Sequence, residues 1–77
     1  MVIGSVTLVR AWDRDTGAKI MIDGKELARA DYEEHGSDGL ALLETIHRRL
    51  AEMAGVEPRV LDVEDEDFER AGVDHVE

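Results

Sequence analysis

Apolar and polar positions change rhythm several times along the chain, and each change marks an element. Residues 2–12 are rich in β-branched side chains that alternate. Val2, Val6, Leu8 and Trp12 share one parity, and Ile3, Ser5, Thr7 and Val9 share the other. A period of two with this composition predicts a strand. Residues 13–17 read as a turn, because Asp13 and Asp15 bond local amides and Gly17 accepts positive φ. Residues 18–22 predict a second strand. Asp23-Gly24 then predicts a type I′ hairpin, whose twist suits a two-residue loop. That loop sets Ile22 against Lys25, Met21 against Glu26 and Ile20 against Leu27, so Ile20 and Leu27 are expected on one face. A slip of one residue would turn Leu27 to the other side. The third strand covers roughly 25–30.

Residues 31–37 have no clear period and are expected to form a loop. Over 38–54 the period becomes helical, with Leu40, Leu43, Ile46, His47, Leu50, Met53 and Ala54 forming the apolar stripe. Ser37 or Asp38 is the expected cap, and Gly55 followed by Val56 and Pro58 is the expected stop. Residues 59–63 predict a fourth strand, and 65–71 a short helix with Phe68 and Ala71 facing inward. The result is an α+β domain of order β-β-β-α-β. It is a small antiparallel sheet packed on one main helix, with a short C-terminal helix.

Composition sharpens this picture. Seventy-seven residues suffice for one domain, expected to span 1–77. Such a chain buries only about 60% of its unfolded surface, and self-association is one remedy for so small a core. The net charge of −10 is unevenly spread. Residues 1–56 hold ten acids and seven bases, a net of −3, whereas residues 57–77 hold nine acids and two bases, a net of −7. Val60, Leu61, Val63 and Phe68 are interspersed among these acids. Segment 57–77 is therefore expected to dock in large part, with its last five or six residues frayed.

Other features exclude chemistry. Without cysteine there is no disulfide framework and no thiolate centre. The negative balance disfavours direct nucleic-acid binding. No apolar run suggests a membrane span or a secretory leader, so the expected setting is cytoplasmic. Seven Arg against two Lys, with abundant Ala, Val and Gly, suit a GC-rich bacterial or phage accessory protein.

Several motifs have plain explanations. The stretch from Asp13 to Ile20 lacks the sixth-position glycine and the bidentate glutamate of a calcium loop. His35, Ser37 and Asp38 lie close in sequence, but triads need convergent geometry. His35, His47 and His75 with nearby carboxylates leave a metal protein or small enzyme as an alternative, though their spacing matches no chelating pattern, and the run from Glu64 to Asp67 could hold divalent cations only weakly. No catalytic residue, metal or cofactor is expected.

What remains suits a non-catalytic interaction module that binds a protein partner, basic in character, or self-associates. Two surfaces are expected to serve it. One is the acidic set Asp62, Glu64, Asp65, Glu66, Asp67 and Glu69, which as an alternative would imitate a phosphate backbone and inhibit a basic DNA-binding protein. The other is the sheet face left open by a single helix, with Ile3, Val9 and Met21 as an apolar patch and Trp12 as an anchor.

Overall fold

A computed structural model describes residues 2–11 and 17–71. Strands β1 (Val6–Ala11), β2 (Ala18–Ile22) and β3 (Lys25–Ala30) form an antiparallel meander, followed by helix α1 (Tyr32–Ala54) and strand β4 (Pro58–Val63). The sheet order is β3-β2-β1-β4. β4 lies parallel to β1, in register from Val6 opposite Pro58 to Ala11 opposite Val63, so the sheet is mixed rather than wholly antiparallel. A parallel neighbour requires a crossover, and α1 supplies it.

The hairpin forms as its dipeptide dictates. Asp23 and Gly24 both take positive φ, at 50° and 83°. Ile22 lies opposite Lys25 and Met21 opposite Glu26, but Ile20 then meets Ala28. A β-bulge inserts Leu27 into β3 as an extra residue, leaving it 55% exposed, while Ala28 takes the inward place beside Ile20. The expected pairing of Ile20 with Leu27 is thus corrected.

The helix begins earlier than its stripe suggests. Asp31 is its cap, the side chain accepting from Glu34 N at 2.6 Å, and Glu33 and Glu34 place acids in the first turn. The expected loop over 31–37 is therefore helical, broken only at Gly36 (φ 66°, ψ −172°). The break presses His35 against Gly39, where a Cβ would lie 2.3 Å from that of His35. Gly55 ends the helix in the left-handed conformation, as its sequence context predicts.

Two cores form, one on each face of the sheet. Against α1, Val6, Leu8, Ala18, Ile20 and Ala30 pack with Leu43 and Ala51. Small Ala51, fully buried, occupies the place expected of Met53, which is 84% exposed. His47 is buried in the same layer, its Nε2 lying 3.3 Å from the Val6 carbonyl oxygen. Ile3 also packs on this side, and not on the far face as expected. Residues 2–5 precede β1, so the strand's alternation does not extend to them. They are tied instead to the hairpin, where Asp23 Oδ1 accepts from Gly4 N and Ser5 N, each at 2.9 Å. On the opposite face, Val9, Ala11 and Met21 pack with Phe68.

Candidate interaction surfaces

The acidic segment begins on β4. Asp62 shares the helix-facing side with Arg10, its register partner on β1. Arg10 donates to both oxygens of Asp62, at 2.8 and 3.1 Å, and its other terminal nitrogen lies 3.8 Å from Glu44. The bidentate bond holds the Asp62 carboxyl below its ordinary range and pushes Arg10 up. Beyond β4 the chain makes a single 3₁₀ turn (Asp65–Asp67) where a short helix was expected. Arg70 donates to Asp67 at 2.7 Å, and Arg29 of β3 donates to the two oxygens of Glu69 at 2.8 and 3.2 Å.

Three of the six expected acids, Asp62, Asp67 and Glu69, therefore face guanidinium groups of their own chain. Glu64, Asp65 and Glu66 form no ion pair with a described residue. Glu64 and Glu66 are exposed, and Asp65 is half-buried, with its Oδ1 enclosed and unpartnered among the described residues.

The second expected surface is not open. Val9 and Met21 are 0% and 2% exposed, because Phe68 lies over them with Val63 and Ala71 at its margins. Trp12, residues 13–16 of the expected 13–17 turn, and the expected frayed end with His75 fall outside the described residues. Lys19, on the same face of β2 as Met21, is 1% exposed. Its ammonium donates to the Glu69 carbonyl oxygen at 3.1 Å and sits 4.9 Å from the Phe68 ring centre. Burial pulls the Lys19 pKa down, while the charges of Glu69 and Glu26 act against that. Sequence reasoning missed the role of Lys19. Its place between apolar Ala18 and Ile20, at the parity shared with Met21, was the available signal.

A cleft of about 480 Å³ opens between the end of β1, the start of β2 and the first half of α1. Arg10, Tyr32, Ser37, Glu44 and Asp62 supply its polar lining. Its charges are largely spent on one another, since Arg10 is clasped by both acids. His35 lies outside this lining, its Nδ1 accepting from Asp31 N at 3.2 Å. Asp31, Glu34 and His35 stand close enough to share a cation. Yet they crowd a helix N-terminus, where the backbone field opposes positive charge. His47 lies beyond the break at Gly36, buried against the Val6 carbonyl, whereas His35 is half-exposed at the helix start, so these two histidines do not share that cluster.

The remaining accessible apolar surface lies at the edges. Leu42, Ile46 and Met53 are 62%, 39% and 84% exposed and fall on the flank of α1 opposite Glu44. The two edge strands differ sharply. β3 carries the bulge, Lys25, Glu26 and Arg29, features that blunt an edge against pairing. β4 runs in unbroken register, with five of its six residues exposed, including Val60 at 52% and Leu61 at 41%. No helix among the described residues is long and apolar enough to cross a membrane. Comparison with family models, curated proteins and solved structures finds no match for this chain.

Proposed function

We propose that this chain is a small acidic interaction module without catalytic chemistry, which captures an extended basic segment of a partner protein along the free edge of β4. The observation that carries the reading is the contrast between the edges: β3 is bulged and carries three charges, whereas β4 keeps an unbroken register and exposes Val60 and Leu61 beyond Pro58 and Arg59, with Asp62 held by Arg10. An edge of that kind offers a row of main-chain donors and acceptors to an added strand. Charge supports a basic occupant. Glu64 and Glu66 follow β4 closely, are exposed and form no ion pair with a described residue, so they can meet lysines or arginines of an incoming strand. The phosphate-mimic alternative loses support, because Asp62, Asp67 and Glu69 are already neutralised within the chain. A cytoplasmic setting accompanies this reading.

The test uses a fluorescent ten-residue peptide of alternating valine and lysine, titrated with the full chain. Binding is expected to saturate, to shift the amide resonances of Val60 to Val63, and to weaken steeply with salt. A second peptide, N-methylated at alternate residues, keeps the charge but loses one edge of hydrogen bonds. It should bind at least tenfold more weakly. Equal binding of the two peptides would show charge attraction alone and sink the proposal, as would a dimer in sedimentation whose β4 edges already pair with each other.

A further inference from the structure

The sheet face turned away from α1 is closed by two consecutive residues. Phe68, 1% exposed, lies on Val9, Ala11 and Met21. Glu69 is held at both ends: its carbonyl oxygen accepts from Lys19 Nζ at 3.1 Å, and its carboxylate takes the fork of Arg29 at 2.8 and 3.2 Å. The same two cations flank the ring, Lys19 at 4.9 Å and Arg29 at 5.7 Å from its centre. Val63 and Ala71 pack at the margins of the ring and Asp65 is half-buried, while the remaining side chains reach solvent. Glu64, Glu66 and Arg70 are exposed, and Glu64, which joins the segment to β4, is extended and makes no side-chain capping bond.

We propose that Val9, Met21, Lys19 and Arg29 line a recognition groove for an aromatic–acidic dipeptide, that Phe68-Glu69 is its internal ligand, and that a partner's aromatic–acidic segment replaces it. Each requirement has a physical source. The apolar floor and the two flanking cations select an aromatic ring. Arg29 selects a carboxylate on the next residue, because its planar fork matches that group in two bonds. Lys19 demands a main-chain carbonyl, since a buried ammonium without an acceptor is costly. That last demand means the groove exchanges one segment for another more readily than it stands empty. Val63 at the end of β4 touches the margin of this cluster and Glu64 to Glu66 lie between the two surfaces, but Lys19 and Arg29 make no hydrogen bond to the β4 main chain, so the two peptide titrations report the two proposals separately.

The probe is a blocked peptide of the chain's own sequence from Val63 to Arg70, alongside the same peptide with alanine in place of phenylalanine. Both are titrated into the full chain and into its Phe68→Ala variant, followed by Met21 methyl and Lys19 resonances. The variant is expected to bind the first peptide and not the second. The native chain should bind at least tenfold more weakly, because its tethered ligand competes at an effective concentration on the order of millimolar. Equal binding to both proteins, or none to the folded variant, overturns the inference. Should the variant fail to fold, native-state hydrogen exchange of the unaltered chain decides. The amides of Asp67, Phe68, Arg70 and Ala71, all hydrogen-bonded within the segment, should exchange through a local opening faster than those of β1 and β2. Exchange of all of them only with global unfolding overturns it.

Discussion

Single residues carry unequal shares of this fold, and glycines show why. Gly17 has φ of 101°, and a Cβ there would lie 2.1 Å from the Ala30 carbonyl oxygen. Gly36 also has positive φ, at 66°, but open space surrounds it. Both positions penalise an L side chain, by about 1–2 kcal/mol for the backbone alone. Only Gly17 adds a backbone collision, at the point where β2 starts beside the end of β3. Gly17→Ala is therefore expected to cost clearly more than Gly36→Ala, which should cost about 1 kcal/mol; urea unfolding of the two variants checks the order. Equal losses would mean that β2 and β3 separate there without penalty. Phe68 is the counterpart among large residues. Truncating a buried phenylalanine to alanine costs about 3–5 kcal/mol in well-packed cores. The partly buried Val63 and Ala71 beside the ring can move toward the vacated space, so Phe68→Ala should fall near the lower bound, about 3 kcal/mol, read as a shift in the urea midpoint with little change in slope.

At the scale of elements, the legible parts were those governed by local rules. Asp23-Gly24 demands positive φ at two successive residues, and that alone places the hairpin and its first two cross-strand pairs. The same rule says nothing about a bulge further along, because a bulge is decided by whether Leu27 or the smaller Ala28 fits beside Ile20 under α1. Leu27→Thr is accordingly expected to change stability by less than about 0.5 kcal/mol, since the side chain is 55% exposed. A loss of 2 kcal/mol or more in thermal or chemical unfolding would restore Leu27 to the core. The helix repeats the lesson. Its apolar period predicted Leu43 and His47 inside, but whether Ala51 or Met53 completes the buried row depends on how closely the helix approaches the sheet. Its start at Asp31 was missed, because Gly36 and Ser37 imitate a loop and Ser37 and Asp38 imitate a cap, although Asp31 with Glu33 and Glu34 carried the signal. The candidate surfaces were less legible still. Whether Val9 and Met21 face solvent depends on a contact with Phe68, 59 and 47 residues distant in sequence, which no local pattern encodes.

For the whole molecule, the charge of −10 and the internal ion pairs pull in opposite directions. Asp62, Glu26 and Glu69 each hydrogen-bond a guanidinium, and this bond is the main reason their carboxyls lie below the ordinary range in the folded chain. A depressed folded pKa gives stability that is present above the unfolded carboxylate range and lost as pH falls through the folded values. Stability measured by urea unfolding should therefore drop as the solution is acidified below about pH 4. The drop should be modest, because these side chains are 41%, 37% and 68% exposed, and exposed pairs contribute at most about 1 kcal/mol each. At neutral pH the balance is different. Salt weakens the few favourable pairs, but it also screens the repulsion among the chain's excess of ten negative charges, carried by a fold whose radius of gyration is 12.0 Å. At 0.1 M salt the screening length is about 10 Å, comparable with that radius, so most of the repulsion is relieved between low and moderate ionic strength. The pairs are short-range and partly retained. The melting temperature at pH 7 is thus expected to rise as sodium chloride increases from about 10 to 300 mM. A fall would mean that the Arg10 and Arg29 pairs outweigh the self-repulsion of the whole chain. Repeating the scan with Arg29→Gln, which removes the largest pair network, should steepen the rise.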